Sequence, residues 1–320
     1  MRSVLSSRWA GLLLLAVVIA LLPLGLKNNF QFDIAVRIGF NAIVVIGLNL
    51  LIGYAGQISL GHAGFLGLAA YFSAITVTRY GWPPLVSLLA AATLVGLLAF
   101  IIARPVLRLK GHYLAMATLG LGIIISIVLN QEAGLTGGPD GMAVDPFTIG
   151  AFKLVKAREW YWLVGALLWL AVWLSLNLID SPVGRALRAV HGSEVAAEVV
   201  GVDTTRYKVM VFVLSAVFAS VVGSLQAHYV SFISPQQAGF FQSVEWVIMV
   251  VLGGMASTYG AVIGAVILTA LPQVLTALED YEHMIFGLIM MLVMILLPKG
   301  IVPSAGALLR RVSSKAEGGK

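Results

Sequence analysis

Apolar runs close to 20 residues long, parted by short polar or glycine-rich breaks, recur from one end of this chain to the other. That length matches the ~20 residues a helix needs to cross the hydrocarbon core of a bilayer. The runs fall at 9–26, 34–52, 60–77, 85–103, 113–129, 160–179, 209–230, 244–252, 261–278 and 284–297. Ten spans result, with a margin of about two because glycine-rich segments blur the edges. The pattern predicts an all-α, polytopic membrane protein in which some helices are broken. It divides into a tail and first span (1–33), a main transmembrane domain (34–300) and a basic tail (301–320).

Between the sixth and seventh spans the pattern changes to a polar, charged segment, 180–208. Ser181 and Pro182 make a cap and first turn, and a helix is expected from Arg185 to Val190, interrupted at His191 and Gly192. Ser193 caps a second piece, Glu194 to Val200, which Gly201 ends, and Asp203 and Thr204 cap the next span. A helix of two turns is marginal in water unless an apolar face docks on something. Val195, Ala196, Val199 and Val200 therefore need a packing partner, which the spacing leaves open between the bilayer surface, the bundle itself and another protein.

Residues 53–70 read GYAGQISLGHAGFLGLAA, with glycine at 53, 56, 61, 64 and 67. Small residues permit close helix packing through Ala63 and Gly67. They also permit irregular backbone at 53–61, tolerated only inside protein or beside a watery cavity. Gln57, Ser59 and His62 would be costly facing lipid, which favours a break near Gly56. Asn41 and Asn49, eight residues apart, share one helix face about 12 Å apart, and both helix-to-helix bonding and contact with a solute satisfy them. These residues, Asn41, Asn49, Gly56, Gln57, Ser59 and His62, are the candidates for lining a pathway. A second glycine cluster, 253–260, reads as a tight turn between late spans, and 135–142, LTGGPDGM, as turns in a long outer loop.

Composition narrows the class. Of 320 residues 60% are hydrophobic and 11% charged, with mean hydropathy +0.98, too little polar surface to cover a soluble core. No cysteine is present, so Cys-ligated metal and disulfides are excluded. The net charge of +6 does not mark a nucleic-acid binder, because the charges sit at span ends rather than along one face. With the N-terminus inside, 14 of the 20 Lys and Arg, among them Arg104, Arg108, Arg185, Arg188, Arg206 and Lys208, fall on the cytoplasmic side, leaving Lys27, Arg37, Arg79, Lys153, Lys156 and Arg158 outside. Both termini and 180–208 are then cytoplasmic. The first span is long and no small-residue cleavage pattern follows Leu26, so it is expected to be retained.

Several chemistries lack their residues. There is no intramembrane acidic series for protons or sodium and no arginine ladder for voltage sensing. No G-x-x-x-x-G-K-[ST] loop holds ATP, and no carboxylate pair, Ser-His-Asp set or metal-binding histidine cluster suggests catalysis. A pore or permease driven from elsewhere remains, with no cofactor.

GLNLLIGYAGQISLGHAGFLGLAAY, LTGGPDGM, GRALRAVHGSEVAAEVVGV and VVLGGMASTYGAVIGA, in that order over about 41–298, together resemble the LivM type of branched-chain amino acid ABC transporter permease. The resemblance implies a non-enzymatic permease of the bacterial inner membrane. It would pair with a second, related permease, two cytosolic ATPases and a periplasmic solute-binding protein. It implies alternating access and a solute that is leucine, isoleucine or valine, or urea, a short amide or another small acid in related branches. A coupling helix would be 193–201, with Ala196, Ala197 and Gly201 at the motif positions, Glu194 and Glu198 flanking, and Arg185 and Arg188 leading into it. Enlarging Ala197 or Gly201 on that docking face is then expected to abolish transport without preventing insertion.

Overall fold

The computed structural model describes residues 2–274 except 110 and 151, together with 287, 288, 291 and 300–304. Most of the tenth apolar run, the acidic turn with Glu279, Asp280 and Glu282, and the basic residues Lys299, Arg310, Arg311, Lys315 and Lys320 lie outside the described residues.

Twelve α-helices follow in order among the described residues. They are α1 Arg2–Gly25, α2 Asn29–Asn49, α3 His62–Thr78, α4 Pro84–Val106, α5 His112–Gln131, α6 Ala133–Thr136, α7 Ala157–Asp180, α8 Pro182–Gly192, α9 Glu194–Val199, α10 Thr204–Val230, α11 Phe240–Gly253 and α12 Thr258–Val274. Among the described residues five helical stretches are long and apolar enough to cross a membrane, and α2 with its extension to Tyr54 is one of them. The shorter apolar helices Trp9–Gly25, His62–Thr78, Phe240–Gly253 and Thr258–Gln273 take the first, third, eighth and ninth runs. This is a multi-pass helical membrane protein.

Helices α2 and α10 are its axis. Along the most apolar 18 residues of each, 72% and 67% are buried, against 22% for α5. The α2 helix packs on α7, α12 and α10, and α10 on α3 and α4. Small residues make this possible: Gly47 of α2 lies under the Phe218 ring of α10, where a Cβ would stand 3.0–3.3 Å from that side chain. Tyr113, Met116, Ile124 and Val128 of α5 and Leu13, Leu14, Val17 and Leu21 of α1 are exposed and apolar, the surface a lipid solvent calls for.

One end of the bundle gathers 180–208, the end of α2 and the turn between α11 and α12. The other end carries two short ladders, Met142–Ala143 with Phe232–Ile233 and Thr148–Ile149 with Phe152–Lys153. There LTGGPDGM forms α6 and a 3₁₀ turn, with Gly137, Gly138 and Gly141 all at positive φ. A Cβ at Gly141 would lie 2.2 Å from the Ile233 carbonyl oxygen, so the stretch is a built turn tied to its neighbouring strand.

Candidate functional site

At the loop end, Ser181 caps α8 by accepting from the Val183 and Gly184 amides at 3.1 and 3.4 Å. The α8 helix runs on through His191 and Gly192, two residues past the expected stop. Arg185 and Arg188 donate to the carbonyl oxygens of Asp180 and Ile179 at 3.4 and 3.1 Å. Those carbonyls are the unpaired acceptors at the end of α7, so both arginines fasten the loop to the bundle. Ser193 accepts from the Ala196 amide at 3.2 Å and starts α9.

The short helix α9 has two unlike faces. Val195, Val199 and Val200 are 66%, 82% and 76% exposed, with Ala196 beside them. Ala197 is 3% exposed and packs inward. The sequence reading placed Ala197 on the docking face; four consecutive helical residues cover the whole circumference, and Ala197 falls on the side from which the half-buried Glu194 reaches the bundle. Glu198 accepts from the Thr204 hydroxyl at 2.7 Å. Gly201 follows at φ +85 with open space around it, so backbone conformation and not crowding demands glycine there.

Glu194 reaches the bundle itself. Its Oε1 lies 2.5 Å from Nζ of Lys208, a lysine only 4% exposed, and accepts from Nε2 of Gln57 at 3.5 Å. Gln57 also donates to the Ala55 carbonyl at 3.1 Å. It belongs to a non-helical stretch from Gly56 to Gly61 that interrupts the path from α2 to α3, and Gly56 has φ +68. The break is shorter than the expected 53–61, because a π-helical turn, Leu50–Tyr54, carries α2 onward. His191 lies on Gly56, its Nδ1 2.9 Å from where a Cβ would be. The loop and the broken membrane segment are therefore in direct contact.

The same end of α2 grips the turn between α11 and α12. Asn49 accepts from the Ala256 amide and donates to the Ser257 carbonyl, both at 3.0 Å, and Tyr54 donates to the Ala256 carbonyl at 2.6 Å. Ala256 sits at φ +59, unfavourable for a residue with a Cβ, and these bonds hold it there. The clamp fits only because residue 53 is glycine, whose Cβ would stand 2.2 Å from the Ala256 nitrogen. His62 is fully buried between α3 and α10, its Nδ1 2.9 Å from the Ser59 hydroxyl and its Nε2 2.7 Å from that of Ser215.

A cavity of about 530 Å³ opens at the other end, among α2, α10, α11 and α12. Asn41 is on its wall, accepting from the Trp246 indole at 3.0 Å and donating to Thr269 at 2.9 Å. Of the six pathway candidates only Asn41 lines it; Asn49, Gln57, Ser59 and His62 are buried toward the loop end, and Gly56 is exposed there. The family model of the branched-chain amino acid transport system permease component matches residues 30–294, from the start of α2 to beyond α12.

The chain belongs to this permease family. The high-affinity branched-chain amino acid transport system permease proteins LivM of Salmonella typhimurium LT2 and Escherichia coli K12 are 31% and 32% identical to it over 283 residues. Those matches cover 79% of this chain and 65% of each relative, so the chain spans just under two-thirds of their length. LivH of Escherichia coli K12, also a permease protein of that system by name, is 26% identical over 209 residues, 62% of this chain and 66% of its own. No solved structure matches.

Within this permease, sequence reasoning missed Lys208, Tyr54 and the cavity residues Arg37 and Glu245 as parts of one site or another. Lys208 read as a positive-inside charge, and only its burial beside Glu194 distinguishes it. Arg37 and Glu245 read as charges at span ends, and nothing in their spacing, 208 positions apart, places them on one cavity.

Proposed function

We propose that this chain is the membrane-spanning permease subunit of an ATP-driven importer that moves leucine, isoleucine and valine across the bacterial inner membrane by alternating access. Both termini and the 180–208 loop are cytoplasmic. The partners are a second, related permease, two cytosolic ATPases and a periplasmic solute-binding protein.

One observation carries the reading: Val195, Val199 and Val200 form an apolar face that none of the described residues covers, on the loop between α7 and α10. A helix of six residues does not persist on such a face in water without a partner. The short helix α9 fits the helix-in-groove mode of recognition, with apolar anchors on one side. Its inner side gives the mechanical route. Closure of the ATPase pair would move α9, and Glu194 and His191 would pass that displacement to Gln57 and Gly56 at the break between α2 and α3.

ATP-dependent uptake by proteoliposomes holding the complex and its binding protein tests this, with labelled leucine, isoleucine, valine and urea compared. Saturable, ATP-requiring leucine uptake supports the reading. Uptake of urea alone keeps the class and overturns the substrate, and ATP-independent flux overturns the class.

A further inference from the structure

We infer that the ends of α4 and α10 nearest the 180–208 loop form a site for an anionic phospholipid. Arg104, Arg108 and Arg206 take the head-group phosphate, and the apolar stripes behind them take the acyl chains. The inference goes beyond the transport reading and needs only that the chain spans a bilayer.

Hydrogen bonds and one close approach fix how the two helices lie. Ser87 near the start of α4 and Ser224 near the end of α10 both donate to the Ser73 hydroxyl, at 3.1 and 2.8 Å. Farther along α4, a Cβ at Gly96 would stand 3.2 Å from Cγ2 of Val217 and 4.0 Å from Cγ1 of Val213, earlier on α10. The helices are therefore antiparallel. Arg104 lies about 12 Å beyond Gly96, and Arg206 roughly 10–16 Å before Val213 and Val217, so the two arginines reach one level. Arg108 follows in the turn after α4.

Behind these arginines the surface is hydrocarbon. Leu97, Phe100, Ile101 and Arg104 recur at three- and four-residue spacing on one exposed face of α4. The Arg104 guanidinium sits 5.3 Å from the centre of the Phe100 ring. On α10 the exposed Met210 stands one turn from the exposed Arg206. Guanidinium groups capping exposed apolar side chains have the polarity of a phospholipid at the edge of a bilayer. A free phosphate ion would meet the arginines and gain nothing from Phe100, Ile101 and Met210.

Arginines at this end are used in two ways. Arg185 and Arg188 donate to the last carbonyls of α7, as described above. Among the described residues, no carboxylate or carbonyl oxygen accepts from the side chains of Arg104, Arg108 and Arg206. The acids of the adjoining turn bond elsewhere: Asp203 accepts from the Arg206 amide at 3.0 Å and Glu198 from the Thr204 hydroxyl at 2.7 Å. Outside the described residues, 305–320 carries four basic side chains and one acid, Glu317, and so adds positive charge. Glu279, Asp280 and Glu282 follow α12, which ends at the cavity end of the bundle. Planar guanidinium forks suit the paired oxygens of a phosphate, which is the acceptor this cluster lacks.

The test uses the full-length chain, purified in detergent with the subunits that accompany it and stripped of lipid. Phosphatidylglycerol and phosphatidylcholine with the same acyl chains are titrated in, and bound lipid is counted by native mass spectrometry. Wild type, Arg104→Gln, Arg206→Gln and the double variant are compared. Wild type should prefer phosphatidylglycerol, and each substitution should weaken that binding roughly fivefold, the attraction of one basic side chain to an anionic surface. Phosphatidylcholine binding and the lipid-free melting temperature should stay at wild-type values. Equal phosphatidylglycerol affinity in wild type and the double variant would overturn the site. A lower lipid-free melting temperature in both single variants would do so as well, by marking a structural role. Displacement of the lipid by millimolar inorganic phosphate would make this an ion site, and loss of accompanying subunits with lipid binding unchanged would reassign the arginines to a protein contact.

Discussion

Asn49 shows how a residue's neighbours decide its role. As an amide inside an apolar run it suits a solute or another helix equally; in the structure both its polar ends bond the backbone of residues 256 and 257. Asn49→Leu would leave the Ala256 amide and Ser257 carbonyl without these partners, at about 1–3 kcal/mol for each orphaned group. The purified protein in detergent should melt at a clearly lower temperature. An unchanged melting point would mean that the turn does not need its clamp. The glycine at 53 was legible as special from its setting, but the reason, a turn lying 200 residues away in sequence, was not.

Helix α9 carries the predictions that belong to a whole element. Val199→Asp places a charge on the open face, where it disturbs nothing inside the chain. It should abolish ATP-driven uptake while insertion and melting temperature stay at wild-type values, as uptake assays and thermal unfolding would register. Ala197→Arg, by contrast, forces a long charged side chain into a buried position and should lower stability itself. A stable Ala197→Arg protein would contradict the inward packing. The inner edge of α9 predicts a further contrast. Glu194→Ala strands the buried Lys208 and should destabilise by ~3 kcal/mol, the lower end for a broken buried pair, because 21% of the glutamate side chain is exposed. Adding Lys208→Met should recover most of that loss in the same melting experiment. No recovery would show that the lysine was not the group left wanting. Sequence spacing reached the two-faced character of the loop, since Ser193 and Gly201 bracket it by chemistry. Which residues faced inward depended on where α10 begins.

At the scale of the molecule, the bundle has a loop end and a cavity end, and the proposal sets the first in the cytoplasm. Absence of cysteine makes this direct to test. Single substitutions Val199→Cys and Asp140→Cys, at exposed sites on opposite ends, should react with a membrane-impermeant maleimide from the cytoplasmic and the external side respectively. The reverse pattern would invert the topology and with it the assigned docking face. The sequence by itself determined the spans, the basic asymmetry of the loops, the polar segment at 180–208 and the resemblance, because these depend on local composition and on periodicities set by helix and bilayer dimensions. Only the tertiary structure decided that Gln57 meets Glu194 and Lys208, that Ala197 turns inward, that Asn49 grips a distant turn, and that Arg37 and Glu245 share a cavity. Those pairings depend on which helix packs beside which. In a membrane, where every span is apolar, hydrophobicity cannot choose neighbours; small residues, buried hydrogen bonds and paired charges do.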